Sequence, residues 1–171
     1  EWFKISNSKI YGFLGLFFLL ISFLTVYLIR NNNFQDYDFF LFLIIICIST
    51  DIGGYFFGKV IKGPKLTKLS PNKTYAGMFG SYILSFISVY LIILFKFFDF
   101  IFINSITKIY FFVFFISTIS QLGDILISYF KRKSNLKDTG KLIPGHGGLL
   151  DRIDGMIFAF PFSYIIFSLN I

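Results

Sequence analysis

The chain has 171 residues, of which 56% are hydrophobic and only 15% are charged, and its formal net charge is +7. Soluble domains average about a quarter charged residues, so this composition indicates a protein that lies in a membrane. One Cys and one His exclude an internal disulfide framework and a Cys/His zinc site. Cys47 stands in an apolar run, which favours a buried structural thiol over a reactive one.

Five apolar segments predict membrane-spanning helices, because a helix needs about 20 mostly apolar residues to cross the hydrocarbon core. They are residues 10–29, 39–58, 78–98, 109–127 and a shorter segment, 155–171. The fold class that we expect is therefore all-α, a polytopic integral membrane protein in which residues 1–171 form one membrane domain. The chain begins with Glu1 rather than Met, and we expect it to be the C-terminal portion of a longer protein.

The basic residues orient these segments. With five spans, the amino terminus and the two loops 59–73 and 131–152 share one side, which holds thirteen of the 16 Lys and Arg residues. Cytoplasmic loops carry an excess of Lys and Arg, so this side is predicted to be cytoplasmic. The expected location is the bacterial inner membrane, with both functional loops in the cytoplasm.

Three aspartates stand where a lipid-embedded chain would avoid a charge. Asp51 lies inside the second segment, Asp124 lies near the end of the fourth, and Asp151 precedes the fifth. A carboxylate at membrane depth normally faces a cavity, a partner charge or a metal ion. A structural ion pair with a nearby lysine and a functional metal site therefore both remain open at this point.

Residues 128–154 combine basic residues, three aspartates and a Pro-Gly-His-Gly-Gly run. Glycines allow the backbone to approach a ligand, and the N–H groups that begin a helix suit an anionic oxygen. A basic patch that only attracts acidic lipid has no use for the acids, whereas a site for Mg²⁺ and phosphate groups needs both signs of charge. His146 is interpreted equally well as a hydrogen-bond donor to a phosphate group and as a structural residue.

This stretch resembles the phosphatidate cytidylyltransferase (CDP-diacylglycerol synthase) family. The family pattern is S-x-hydrophobic-K-R, four residues, K-D-x-small, and then a run that ends in P-x-H-G-G-hydrophobic-x-D-R-hydrophobic-D, and this sequence fills every position. Residues 51–58 and 70–74 are similar to the family's D-T-x-A-Y-x-x-G and S-P-K-K-T, although Ile52 replaces the usual Thr and Ala76 replaces a common acidic residue. The family-matching catalytic region is thus 51–154.

The resemblance implies transfer of CMP from CTP to phosphatidate, with Mg²⁺ as cofactor and room for a second cation. CTP and phosphatidate are the implied partners, a homodimer is allowed, and no nucleic acid is expected. The implied catalytic residues are Lys131, Arg132, Lys137, Asp138, His146, Arg152 and Asp154. The implied substrate-binding residues are Asp51, Ser70, Lys73, Thr74, Gly147 and Gly148, and the implied metal ligands are Asp124 and Asp151.

Two other functions are weighed against this one. A CTP-dependent lipid or polyprenol kinase would share the membrane architecture and the nucleotide, but it is not expected to fill the whole pattern. A non-enzymatic transporter would explain acids within the membrane and basic cytoplasmic loops, but not the glycine-rich loop between Lys137 and Asp151.

Overall fold

A computed structural model describes residues 1–6, 8–31, 34–67, 70, 73–98, 105–140, 142 and 147–168, with the backbone alone at 34–36. Within these ranges the chain forms helices joined by short segments. The helices are α1 (Trp2–Ile5), α2 (Lys9–Asn31), α3 (Phe34–Val60), α4 (Tyr75–Leu94), α5 (Ile106–Lys133), α6 (Leu150–Ile153) and α7 (Met156–Ser168).

The all-α polytopic fold is confirmed, with a qualification on the number of spans. Four helices of the described chain, α2 to α5, contain segments that are long and apolar enough to cross a membrane. The fifth predicted span corresponds to α7, an apolar helix of 13 residues, which is shorter than a usual span. Residues 169–171 of that predicted span lie outside the described residues.

The observed end of helix α5 differs from the predicted start of the loop 131–152. The loop was expected to begin at Lys131, but the helix continues to Lys133, so Lys131 and Arg132 lie on its last turn. Lys and Arg are good helix formers, and their positive charges interact favourably with the C-terminal end of a helix. Ser134 is the C-cap residue that follows the helix, and Asn135 then adopts the left-handed conformation with φ 54°.

Helices α3 and α4 approach each other closely through small residues. A Cβ atom at Gly53 would lie 2.5 Å from the carbonyl oxygen of Gly80, and one at Gly77 would lie 2.7 Å from the carbonyl oxygen of Gly54. Small residues at a helix interface are the usual means of close packing in membranes. This packing brings the middle of α3, including Asp51, beside the first turns of α4.

The interior of the bundle contains a large apolar cluster, and the outer surface is apolar as well. Phe42, Ile46, Val89, Val113 and Ile116 are fully buried in one cluster, and Cys47 is buried in the same cluster, as predicted. Many Phe, Leu and Ile side chains on α2 to α5 are exposed. Apolar residues on both the inside and the outside are what a helix bundle surrounded by lipid requires.

Candidate active site

A polar cavity of about 440 Å³ opens at one end of the bundle. Most of the predicted site residues line it, namely Asp51, Ser70, Lys73, Thr74, Asp124, Lys131, Asp138, Asp151, Arg152 and Asp154. Tyr55, Gly77 and Gln121 also line it and were not among the predicted site residues. The two basic loops meet at this cavity, and the amino-terminal segment reaches the same end of the bundle through a hydrogen bond from Ser134 to Ile5.

The connection between α3 and α4 places Lys73 beside Asp124 of α5. The N–H of Leu66 donates to the Lys73 carbonyl and the N–H of Tyr75 donates to the Pro64 carbonyl, so the segment turns back on itself. Lys73 Nζ then lies 2.5 Å from Asp124 Oδ2. Thr74 caps α4 because its side chain accepts a hydrogen bond from the Gly77 N–H, so this predicted substrate-binding residue also has a structural contact.

Asp151 is held by a dense set of donors. Its Oδ1 lies 2.8 Å from Lys131 Nζ, and its Oδ2 accepts hydrogen bonds from the N–H and hydroxyl of Thr139 and from the N–H of Gly148. Burial raises the pKa of the Asp151 carboxyl, but the hydrogen bonds from Lys131, Gly148 and Thr139 outweigh burial and lower this pKa below its ordinary value. Asp151 is therefore a fixed negative charge on the cavity wall.

Three other carboxyl groups converge from separate segments. Asp154 follows α6 and is buried, and its side chain is a hydrogen-bonding neighbour of Asp124 on α5. Asp51 on α3 lines the same cavity. Burial raises the pKa of Asp154 above its ordinary value, and the nearby charges of Asp124 and Asp51 act in the same direction. The cavity thus collects acids from α3, α5 and the link between α6 and α7.

The remaining predicted residues are placed less centrally. Arg132 and Lys137 are exposed and do not line the cavity. Gly147 has φ 87°, and a Cβ atom there would lie 2.9 Å from Asp151 Oδ2. Gly148 is buried and donates its N–H to Asp151, while His146 lies outside the described residues.

Glu1 and Thr139 belong to the site, although sequence reasoning missed both. The Glu1 carboxylate accepts hydrogen bonds from the N–H groups of Leu149 and Leu150. Thr139 is 1% exposed and donates to Asp151. No pattern in the sequence connects Glu1 with residues 138 or more positions away, because only the packing of α1 brings them together.

The predicted Mg²⁺ ligands, Asp124 and Asp151, are carboxylates on the cavity wall. Mg²⁺ usually takes one or two protein carboxylates and completes its octahedron with water and phosphate oxygens. Asp124 and Asp151 both line the cavity, although within the described residues no group of three or more acidic, His or Cys side chains forms a metal-binding cluster. Each is paired with a lysine, so the alternative interpretation of an ion pair is observed here. The partner of Asp124 is Lys73 from the other loop.

The geometry describes an all-helical membrane protein with a cavity of mixed charge where its two basic loops meet. The sequence model of the cytidylyltransferase family matches residues 3–170. The chain therefore belongs to the cytidylyltransferase family.

Curated relatives agree with this membership. The chain is similar to phosphatidate cytidylyltransferases of Bacillus subtilis (strain 168), with 34% identity over 92% of the chain, and of Rickettsia bellii (strain RML369-C), with 35% identity over 97%. That of Rickettsia conorii (strain ATCC VR-613 / Malish 7) is 37% identical over 100% of the chain. The chain spans 58% of the Bacillus relative, 73% of the Rickettsia bellii relative and 74% of the Rickettsia conorii relative.

Proposed function

We propose that the chain carries the active site of a phosphatidate cytidylyltransferase, which transfers CMP from CTP to phosphatidate and releases pyrophosphate. The observation that carries this proposal is the cavity in which Lys73, Lys131 and Arg152 stand among five aspartates contributed by separate segments. The relatives described above are phosphatidate cytidylyltransferases, which supports the same activity.

The proposed reaction needs positioning and charge neutralisation more than proton transfer. An oxygen of the lipid phosphate forms a bond to the α-phosphorus of CTP, and the bond from that phosphorus to the bridging oxygen of the pyrophosphate breaks. A phosphate monoester is largely dianionic at pH 7, so no general base is required. Lys73, Lys131 and Arg152 line the cavity and supply the cations that neutralise the phosphates.

Asp124 and Asp151 are the proposed Mg²⁺ ligands. Carboxylate oxygens are the protein ligands that this ion prefers, and Asp154 places a further carboxyl group beside Asp124. Bound Mg²⁺ would supply additional neutralisation of the phosphate charge. The aspartates otherwise hold Lys73 and Lys131 at fixed places on the cavity wall.

The membrane position of the cavity suits a lipid substrate. The cavity lies at the end of long apolar helices, where the headgroup of a phospholipid would be found, and the outer faces of those helices are apolar. The excess of Lys and Arg in the loops at this end supports a cytoplasmic position in the inner membrane, where CTP is available.

Two labelled nucleotides test this proposal. Purified protein in detergent is given phosphatidate, Mg²⁺ and CTP that carries ³²P at either the α- or the γ-phosphate. We expect label in the lipid from α-labelled CTP alone. A parallel reaction contains diacylglycerol or a polyprenol, whose free hydroxyl is the acceptor that a lipid kinase needs. Transfer of the γ-label to that lipid, or transfer of neither label to any lipid, would contradict the proposal.

Matched variants connect the activity with the cavity. Lys131→Ala should greatly reduce transfer, because this side chain lines the cavity and holds Asp151. Lys133→Ala removes the same charge from the same turn of α5 at a position that does not line the cavity, and it should retain transfer. Equal activity of the two variants would argue against this cavity as the active site.

A further inference from the structure

We propose that Glu1 is a positioning residue for this reaction, holding residues 148–151 so that Asp151 stays aligned with Lys131. The inference rests on the proposed function. It concerns a residue that lies in neither of the two predicted functional loops.

The contacts of Glu1 are specific and use both carboxylate oxygens. Oε1 accepts a hydrogen bond of 3.0 Å from the Leu149 N–H, and Oε2 accepts one of 2.7 Å from the Leu150 N–H. Burial raises the pKa of Glu1, but the hydrogen bonds from Leu150, Leu149 and Thr139 outweigh burial and lower this pKa. The group is therefore charged at neutral pH, and these bonds belong to the stronger, charge-assisted class.

Thr139 connects the Glu1 carboxylate with the Asp151 carboxylate. The Thr139 hydroxyl lies 3.2 Å from Glu1 Oε2 and 3.0 Å from Asp151 Oδ2, and the Thr139 N–H donates to Asp151 at 2.9 Å. The hydroxyl has a single proton and donates to one carboxylate at a time, while the N–H stays bonded to Asp151, so this buried threonine lies between the two carboxylates. A displacement of Glu1 would be transmitted through Thr139 and through the backbone of residues 148–150 to Asp151.

Two glycines of the loop make room for this carboxylate. A Cβ atom at Gly148 would lie 2.7 Å from each carboxylate oxygen of Glu1, and a Cβ atom at Gly140 would lie 2.7 Å from Oε1. A side chain at Gly148 would also meet the Thr139 hydroxyl, so the carboxylate and this hydroxyl would both have to shift. The two glycines thus leave the space that the Glu1 carboxylate occupies beside the N–H groups of Leu149 and Leu150.

The position of Glu1 is itself fixed against α5. Trp2 Nε1 donates to the Gly12 carbonyl at 3.0 Å, and the indole ring makes an edge contact with Phe130. Ser134 Oγ donates to the Ile5 carbonyl at 2.6 Å. Because Phe130 and Ser134 flank Lys131 on the last turn of α5 and at its end, Glu1 relates the loop to the helix that carries the partner of Asp151.

The test compares Glu1→Gln with Glu1→Asp and with the control Ser134→Ala. Gln keeps the size of Glu, but its single amide oxygen cannot serve both N–H groups, and its NH₂ group would face a donor. Ser134→Ala removes a contact of α1 and leaves the loop contacts of Glu1 in place. Amide hydrogen exchange at Leu149 and Leu150 is measured together with kcat and KM for CTP.

We expect Glu1→Gln to speed exchange at these two amides roughly 10-fold or more, the effect of losing one charge-assisted hydrogen bond. The kcat should fall by about 10-fold with little change in KM, because alignment rather than binding is lost. Glu1→Asp should recover part of both effects. Ser134→Ala removes one anchor of α1 but leaves the Glu1 hydrogen bonds and the Trp2 contacts in place, so it should change exchange and kcat much less than Glu1→Gln does.

Unchanged exchange in Glu1→Gln would overturn the inference, and so would faster exchange with a normal kcat. Equal losses of kcat in Glu1→Gln and Ser134→Ala would also overturn it, since they would show a merely structural role. If the unmodified protein transfers no label from α-labelled CTP, the proposed function fails on its own. The exchange rates alone then support or overturn the holding of residues 148–151 by Glu1.

Discussion

Replacing Asp151 by Asn breaks the most densely bonded contact of the cavity wall. Oδ1 of Asp151 pairs with the Lys131 ammonium. Oδ2 lies within hydrogen-bond distance of three donor groups, the N–H and hydroxyl of Thr139 and the N–H of Gly148. Asn has one acceptor oxygen. If this oxygen faces Thr139 and Gly148, its NH₂ group faces the Lys131 ammonium, and in the opposite orientation the NH₂ group faces three donors. One side of the contact is therefore lost in either orientation.

The size of the effect follows from burial. The side chains of Lys131 and Asp151 are 13% and 10% exposed. Removing one partner from a fully buried pair costs about 3–5 kcal/mol, whereas a hydrogen bond to a charged group contributes about 1.5–3 kcal/mol. Both groups line an open cavity that water can enter, so the lower range applies. We expect a loss of about 2 kcal/mol in the free energy of unfolding, a factor of roughly 30 in the ratio of folded to unfolded protein.

A double-mutant cycle measures the part of this loss that belongs to the pair. Lys131→Met, Asp151→Asn and the double variant are unfolded in detergent, and the coupling free energy should be about 1–2 kcal/mol. Lys133→Met combined with Asp151→Asn is the matched control and should show no coupling. Coupling below about 0.5 kcal/mol for Lys131, or equal coupling for Lys133, would refute the reasoning.

Three further predictions concern other parts of the site. Asp124→Asn should abolish Mg²⁺-dependent transfer while the protein stays folded in the membrane, and near-normal activity would contradict the proposed metal site. Thr74→Ala should lower stability by about 1 kcal/mol because it removes the cap of α4, and Thr74→Ser should restore most of it. A Cys that replaces Leu142, which is 71% exposed, should react with an impermeant maleimide from the cytoplasmic side only. Labelling from the other side would contradict the predicted topology.

The spans could be predicted from the sequence because lipid imposes a simple rule on them. Every backbone polar group within the hydrocarbon core must be paired inside the chain, so a long apolar run becomes a helix. The segment 10–29 accordingly became α2, Lys9–Asn31, and the segment 39–58 became part of α3, Phe34–Val60. An apolar run predicts the part of a helix that lies in the hydrocarbon core, but a helix can continue beyond it with polar residues. For this reason α5 was predicted too short, and its basic last turn was assigned to a loop.

The members of the cavity could largely be predicted, but their pairing could not. Carboxylates at membrane depth and clustered cations are visible as residue types, and the two loops that hold them were identified. For an ion pair with Asp124, the nearest cations in the sequence were Lys131 and Arg132, whereas the observed partner is Lys73 from the loop before α4. That choice depends on how the α3–α4 connection folds back and on the close packing of α3 with α4.

The glycines of the last loop predict that an anionic group lies close to the backbone, but they do not show which group it is. Among the loop residues that the structure describes, Gly140, Gly147 and Gly148 each stand against a carboxylate of the protein itself, from Glu1 or Asp151. The sequence indicated that N–H groups in this loop would suit an anionic oxygen, and the Leu149 and Leu150 N–H groups do receive one. The oxygen belongs to a residue 148 or 149 positions away, and no local pattern encodes that distance. A substitution at Gly148 would therefore act first through the protein's own Glu1 and Thr139, before any effect on a bound nucleotide.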